Sequence, residues 1–319
     1  RSAKADPSVA EAVERFLKSR SGMRSYREVS SILNNHLVPA LGKRKIRRVG
    51  KHEIIEAIED VAADHGRTAA LLLTYCKQLF SWAEDRGMVD LDPAAGIRPR
   101  KIGPALRSKP RDRVLGEGEI RALWSLEAPP EGMHPATLAV LHMILATGQR
   151  PGEVAGMRWD EVRGKVWTIA SERRGKTDTA HSVPLTDTAL ALLDRARADS
   201  RAKQACVFEP QPGMPVSVAA ISKAVARCAD ALGIGGPTPW RPHDLRRTMR
   251  TGLAVERIPE HVAELTIGHT RKGIAATYDL HTYDNEKRAA LEAWERRLLR
   301  IAAGEAPDNN VVPLQREGA

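Results

Sequence analysis

Side chains suited to phosphate chemistry are grouped in four short segments of the second half of the chain. The segments read TGQRPGE, RRGKTDTAHSVPL, HDLRR and IGHTRKGIAATY. Taken singly, each could be a capping or solvated stretch, but together they supply guanidinium, ammonium, imidazole and phenol groups. Such a set could displace an alkoxide from a phosphodiester. The residues concerned are Arg150, Glu153, Lys176, His243, Arg246, His269 and Tyr278.

The two arginines fit the electrostatic demand of that displacement. It passes through a five-coordinate phosphorus that carries extra negative charge on its non-bridging oxygens, so a fixed cation must hold those oxygens. Arg150 and Arg246 offer always-charged planar forks that match two phosphate oxygens. A pair of guanidinium groups therefore removes the need for Mg²⁺.

The remaining side chains are candidates for the nucleophile and for the groups that transfer protons. A phenol loses its proton only near pH 10 unless a base or a positive field helps, so Tyr278 is the candidate nucleophile and His243 its proton acceptor. Lys176 is expected to protonate the leaving 5′ oxygen, and His269 to donate a hydrogen bond to the phosphate. Glu153 orients the site or is simply a helix-start carboxylate favoured by the helix dipole.

In this order, the segments resemble the tyrosine recombinase family, in its prophage integrase branch, across nearly the whole chain. Members of that family carry Arg-x-x-Glu after a helix, a hairpin-turn lysine, His-x-x-Arg, Gly-His and a tyrosine some nine residues further on. The resemblance implies a site-specific recombinase that cleaves and rejoins DNA through a 3′-phosphotyrosine, without metal, ATP or other cofactor. It also implies double-stranded DNA as partner, a homotetramer on two DNA sites, and an accessory DNA-bending or directionality protein.

Two residues compete with the assigned nucleophile and acid. Tyr283 lies fourteen residues after His269, whereas the spacing of the family favours Tyr278. Lys165 is expected to begin a strand, whereas Lys176 falls in a turn, seven residues before a strand valine, as the resemblance requires. The sequence therefore favours Tyr278 and Lys176.

Three other classes of protein fit the sequence less well. A metal-dependent nuclease would need ligands such as the histidines at 181, 243, 269 and 281, but no paired carboxylate cluster or HxxxH helix accompanies them. A DNA-binding regulator without catalysis would not require a tyrosine at this position. A type IB-like topoisomerase would use the same chemistry without exchanging partners. These last two stay open as alternatives.

Length and composition limit which classes of protein are possible. A length of 319 residues predicts two domains, and a net charge of +10 indicates a polyanionic partner, nucleic acid ahead of a membrane surface. The three cysteines have no CxxC spacing, and no apolar run reaches the roughly 20 residues that span a bilayer. We expect a cytoplasmic protein that is encoded by a bacterium or phage. The run GQRPGEVAGMRWDE is similar to that of integrases with an additional N-terminal arm-binding domain, and this resemblance implies that such a domain preceded Arg1.

The predicted fold is mainly α with a small antiparallel β-sheet. Helical periodicity predicts about four helices in residues 1–96, which resemble the helical, SAM-like core-binding domain of the family. Residues 97–113 are expected to be a basic interdomain linker, 114–302 a mixed α/β catalytic domain, and 303–319 a mobile tail.

The linker is dense in basic residues and prolines, which predicts an extended segment. It is either a solvated tether or a strap that follows DNA phosphates. The candidate DNA-binding residues are Arg98, Arg100, Lys101, Arg107, Lys109, Arg111 and Arg113.

In the second half, helix-start and helix-end signals bracket several elements. Pro135 and Gly148 bound one predicted helix, and Ser217 and Gly233 another. Alternation predicts a hairpin of strands 165–170 and 180–185. Later helices are expected over 243–256, 259–267, 273–281 and 285–302. The last of these packs within the chain or docks on a neighbouring protomer.

Overall fold

A computed structural model of the chain divides into two compact units, Arg1–Arg111 and Asp112–Ala319. The structure describes residues 6–23, 25–103, 106, 111–174, 179–198, 204–234, 236, 238–271, 278–279 and 281–305. The expected helix over 273–281 and tail over 303–319 lie largely outside these ranges.

The first unit is a bundle of helices. Its main elements are α1 (Val9–Lys18), α2 (Tyr26–Ile32), α3 (Val38–Leu41), α4 (Lys51–Asp64) and α5 (Gly66–Asp85). The Ser8 hydroxyl accepts a hydrogen bond from the backbone N–H of Glu11 and caps α1. A π-helical turn, Leu33–Leu37, joins α2 to α3, so helical structure continues without a break from Tyr26 to Leu41.

The segment expected to be extended contains helical structure and apolar contacts. A single helical turn, α6 (Pro99–Ile102), interrupts it. Ile97 and Leu106 are buried in the core of the first unit, at 1% and 5% exposure. The sequence pattern did not indicate that these two apolar residues are buried. They lie among charged residues and prolines and are too far apart to form a periodic pattern.

The second unit carries the remaining helices and the sheet. The helices are α7 (Glu117–Trp124), α8 (Pro135–Thr147), α9 (Pro151–Ala155), α10 (Asp187–Ala198), α11 (Val218–Leu232), α12 (Pro242–Val255), α13 (Glu260–Thr266) and α14 (Asp284–Ala303). Helix α8 is buried along almost its whole length, as expected of a helix at the centre of a unit. The Nε1 of Trp294 on α14 donates to the Leu145 carbonyl of α8 at 2.8 Å.

The sheet has three antiparallel strands in the order β1 (Val162–Arg163), β2 (Val166–Ile169) and β3 (His181–Pro184). The predicted β2 to β3 hairpin is confirmed, with Trp167 facing Val183. Strand β1 was not predicted, because two residues are too few to show alternation. As a consequence, Lys165 lies in the turn between β1 and β2 and does not begin a strand.

The fold class predicted from the sequence is confirmed, since helices dominate and the only sheet in the described ranges is small and antiparallel. Among the described helices, none combines the length and apolar character needed to cross a membrane.

Candidate active site

Arg150 is positioned by the junction between α8 and α9. Helix α8 ends at Gly148, whose φ of 66° turns the chain sharply. Arg150 then occupies the N-cap of α9. Glu153 lies one turn later and is 4% exposed. Its carboxylate accepts from the Arg150 guanidinium at 2.8 Å and from the Arg150 backbone N–H at 3.1 Å, so it both caps α9 and fixes the arginine.

His243 and Arg246 lie three residues apart on the first turns of α12, and hence on one face of the helix. Arg246 is 2% exposed, and its Nη1 donates to the Gly148 carbonyl at 2.9 Å. Its Nη2 has no hydrogen-bond partner within the described part of the chain. Gly148 lies at the end of α8, two residues before Arg150, and its carbonyl binds the guanidinium of Arg246. This contact connects the positions of the two arginines.

The electrostatics of this cluster suit an anion. Burial, reinforced by the neighbouring Arg150, lowers the pKa of Arg246 to about 10, which leaves it cationic at neutral pH. Burial and the charges of Arg246 and Arg247 lower the pKa of His243. A neutral His243 is able to accept a proton at pH 7. Two cations and an unprotonated imidazole thus meet at the start of α12.

His269 follows the end of α13 and contacts Glu264. Its Nδ1 is hydrogen bonded to the Glu264 carboxylate, and the second oxygen of that carboxylate accepts from Arg250 Nε at 2.7 Å. Partial burial acts to raise the pKa of Glu264, but the hydrogen bonds from Arg250 and His269 outweigh it and hold that pKa below its usual range. Neither Glu264 nor Arg250 lies in one of the four sequence segments that carry the predicted site residues.

Arg174 is a further cation that motif reasoning missed. It is 5% exposed, and its guanidinium donates to the Thr179 carbonyl at 2.7 Å and to the Gly268 carbonyl. Burial lowers its pKa, against the opposing charge of Glu153. Its place two residues before Lys176 was the available signal, but nothing in the sequence distinguishes a buried arginine from a solvated one.

Tyr278 stands apart from this cluster. Its side chain is 82% exposed, and no described residue hydrogen bonds to its hydroxyl. The neighbouring Asp279 is held by Arg271, which donates to the Asp279 carbonyl. The structure thus brings Arg150, His243 and Arg246 into one cluster and leaves the Tyr278 phenol in solvent.

The rival tyrosine, Tyr283, has a fixed position. Its hydroxyl donates to the Asp279 carboxylate at 2.9 Å, and this bond raises the pKa of Tyr283. The guanidinium of Arg271 lies 4.8 Å from the centre of its ring. A phenol with a raised pKa gives up its proton less readily than one with the ordinary value.

Several of the other predicted site residues are not described by the structure. Lys176, Arg107 and Lys109 lie outside the described residues, and the side chain of Lys101 is likewise not described. The guanidinium of Arg113 donates to Glu119 and, at 3.0 Å, to the Thr238 carbonyl.

These linker arginines fall into two groups. Arg98 and Arg100 are exposed, as a DNA contact requires. Arg113 is committed to protein contacts, with a side chain only 17% exposed, and Arg111 also has an interaction within the protein. Among the described residues, no group of three histidine, cysteine or carboxylate side chains is arranged to hold a metal ion.

Comparison with known proteins identifies the family. Residues 114–285 match the phage integrase family, and residues 9–100 match the phage integrase central domain. The first match alone extends over more than half of the chain. The chain therefore belongs to the phage integrase family.

Curated relatives include two kinds of recombinase. The prophage integrase IntA of Escherichia coli (strain K12) is 26% identical over 276 residues, which are 82% of this chain and 62% of that protein. The tyrosine recombinase XerC of Xylella fastidiosa (strain M23) is 28% identical over 200 residues, 60% of this chain and 64% of that protein. The match thus spans less than two thirds of the length of either relative.

Solved structures share the fold at low identity. A lambda integrase dimer bound to a COC' core site matches with a TM-score of 0.68 and 17% identity, covering 83% of this chain and 96% of that one. A lambda integrase tetramer bound to a Holliday junction matches with a TM-score of 0.66 and 17% identity, covering 84% and 79%. At this identity the likeness establishes the fold.

Proposed function

We propose that the chain is the core of a site-specific DNA recombinase that acts through a tyrosine nucleophile. The observation that carries this proposal is the cluster of Arg150, Arg246 and a neutral His243 in a unit with the phage integrase fold. A regulator without catalysis would not need a buried arginine beside a neutral base. Strand exchange needs both.

In the proposed reaction, the Tyr278 oxygen attacks the phosphorus and the bond from phosphorus to the 5′ oxygen breaks. The phenol proton passes to His243, and Lys176 protonates the departing 5′ oxygen. Arg150 and Arg246 hold the non-bridging oxygens in the transition state. Reversal by a new 5′ hydroxyl restores the phosphodiester, so ligation requires neither ATP nor a metal ion.

The surroundings of the rival residues support this assignment of roles. The Tyr283 hydroxyl is held by Asp279, whereas Tyr278 is solvent-exposed and would have to move onto the phosphate. Lys165 Nζ pairs with Asp187 at 2.9 Å, so its ammonium group already has a partner within the protein. We therefore retain Tyr278 as the nucleophile and Lys176 as the acid.

The proposed partner is double-stranded DNA. Lambda integrase was solved as a dimer on a core site and as a tetramer on a Holliday junction, which supports a homotetramer on two DNA sites for this chain. Residues 1–96 would form the core-binding domain and 114–302 the catalytic domain, with an accessory DNA-bending or directionality protein. Acting on DNA, the protein would work in the cytoplasm of a bacterial host.

Within the linker over 97–113, Arg98 and Arg100 remain the proposed phosphate contacts, because both are exposed. Lys101, Arg107, Lys109 and Arg111 stay candidates on sequence grounds. Arg113 is withdrawn as a contact, since its guanidinium is bound to Glu119 and Thr238.

A nicked suicide substrate tests the reaction class. The protein is incubated with DNA nicked next to the crossover, in the presence of EDTA, and the products are resolved under denaturing conditions. We expect a covalent protein–DNA adduct. A regulator would shift the band only under native conditions, and a metal-dependent nuclease would be silent. A type IB-like topoisomerase would also form the adduct, but it would not exchange strands between two intact duplexes.

A further inference from the structure

Glu264 connects helix α12 to His269 through its two carboxylate oxygens. Oε1 accepts from Arg250 Nε at 2.7 Å, and Oε2 is hydrogen bonded to His269 Nδ1. No other described residue hydrogen bonds to the His269 ring. The orientation of this imidazole is therefore set by a carboxylate that is itself fixed by an arginine.

The backbone at the end of α13 imposes this contact. Gly268 has a φ of 76°, and the chain doubles back so that the His269 N–H donates to the Glu264 carbonyl at 2.9 Å. The Gly268 N–H donates to the Leu265 carbonyl at 3.0 Å. This is a Schellman-type helix end, and it returns the His269 ring to the side chain of Glu264.

The contact with Glu264 determines which nitrogen of the His269 ring must carry a proton. In the neutral ring only one nitrogen carries a proton, so a ring that donates Nδ1–H to Glu264 presents a lone pair at Nε2. Only the imidazolium can donate from both nitrogens of His269. A donor to a phosphate oxygen must therefore be the charged form.

Resting on the function proposed above, we propose that Glu264 is a positioning residue that keeps His269 doubly protonated, with Nε2–H directed at the scissile phosphate. Glu264 acts through His269 and does not touch the DNA. Arg250 fixes the carboxylate, so little rotamer freedom is lost when the pair forms.

Charges of both signs surround the pair of Glu264 and His269. Arg246 interacts electrostatically with Glu264 and with Arg174, Arg174 lines a cavity together with His269, and nearby cations disfavour an imidazolium. Two cavities next to His269, of about 410 and 540 Å³, are lined by groups of both signs. Their other charged or titratable residues are Arg174, His181, His261, Arg271, Asp279, His281, Tyr283, Asp284 and Lys287.

A purely structural ion pair would behave differently. The side chains of His269 and Glu264 are 48% and 37% exposed, and a pair this open contributes little to stability. Removing it would then leave the fold and the reaction nearly unchanged. A positioning role instead predicts a change in the protonation of His269 and in the pH dependence of cleavage.

The test is Glu264→Gln in the full chain, which keeps the size of the side chain and removes its charge. Histidine ¹⁵N NMR follows the protonation of both His269 nitrogens, assigned with His269→Asn, and single-turnover cleavage of the suicide substrate is measured against pH. We expect the His269 transition and the alkaline limb of cleavage to move together to lower pH, and cleavage above neutrality to fall roughly threefold.

Glu286→Gln is the matched control, because it removes the carboxylate of another half-exposed pair, to His281 Nε2 at 3.1 Å. It should leave the His269 transition in place. An equal displacement in both variants would overturn the proposal, since loss of any nearby negative charge would then suffice. An unchanged His269 transition in Glu264→Gln would overturn it as well.

A double-mutant cycle separates positioning from a direct role. In a His269→Asn background, Glu264→Gln should have no further effect on cleavage. An additive effect would mean that Glu264 acts independently of His269 and would overturn the proposal. Failure of the proposed function is distinguishable, because the wild-type protein would then form no adduct even if the NMR transition moved as expected.

Discussion

Arginine at positions 150 and 246 combines charge with geometry that lysine lacks. Arg246 is buried, yet its pKa of about 10 leaves it charged wherever the protein would work. Arg150 is one third exposed, and Glu153 fixes it from one side. The planar fork of a guanidinium holds two phosphate oxygens at once, whereas an ammonium would hold them singly and without fixed direction.

Replacing Arg150 should separate binding from catalysis. We expect Arg150→Ala to retain DNA binding but to reduce adduct formation by at least 10²–10³-fold, on the order of the loss of one transition-state donor. Arg150→Lys should recover only part of the rate. Native gel shifts and single-turnover cleavage measure the two effects, with Arg158→Ala as a control at an exposed arginine paired with Asp160. Equal losses of binding and cleavage would contradict this role.

At the scale of residues, motif spacing located Arg150, Glu153, His243 and Arg246, which the structure places around one helix junction. It did not locate the contacts that position them. Glu264 contacts His269 only because the chain reverses at Gly268. The function of such a residue depends on a turn and a neighbouring helix. The spacing of residues along the sequence therefore does not reveal it.

At the scale of elements, α12 and α14 pack closely at Gly252. A Cβ built on Gly252 would lie 2.1 Å from a ring carbon of Trp294, and Trp294 is fully buried. Protein interiors tolerate such overlap poorly. The glycine therefore sets the distance between the helix that carries His243 and the helix that closes the core.

Gly252→Ala should destabilise the second unit. The added methyl forces Trp294 or α14 to move, and overpacking of this kind typically costs about 1–3 kcal/mol. Urea unfolding monitored by tryptophan fluorescence measures the change. Gly118→Ala on α7 is the control, because no atom lies within 4 Å of its added Cβ, and it should be neutral or mildly stabilising. Equal stability of both variants would contradict the packing interpretation.

Elements with strong end signals were predictable, and short ones were not. Gly148 and Gly233 both adopt left-handed conformations at the ends of the helices they were expected to terminate. Ser217 caps α11 through its hydroxyl, which accepts from Ala220 N–H at 3.1 Å. Strand β1 and the turn α6 are too short for periodicity, and they are stabilised by contacts that only the folded unit supplies.

At the scale of the whole molecule, buried histidines make folding depend on pH. His181 is 6% exposed, and burial, with the charge of Arg174, lowers its pKa to about 3 from 6.5. Burial also lowers the pKa of His142. Below pH 6.5 the unfolded chain binds protons that the folded chain cannot, so stability is complete above that pH and declines as the pH falls.

We expect His181→Gln to weaken this dependence. Between pH 6 and 5 the wild-type free energy of unfolding should fall by roughly 1.4 kcal/mol per pH unit more than that of the variant, the slope for one proton. Urea titrations at several pH values measure the difference. Parallel slopes would show that His181 is protonated in the folded protein.

Identifying the residue that bonds to DNA is the most direct test of the proposed chemistry. The adduct formed on a suicide substrate is digested with trypsin, and the peptide 273–287, which contains both Tyr278 and Tyr283, is fragmented by mass spectrometry. We predict that the nucleotide phosphate is attached to Tyr278 and that Tyr278→Phe forms no adduct. Attachment to Tyr283, or an adduct that persists in Tyr278→Phe, would contradict the assignment.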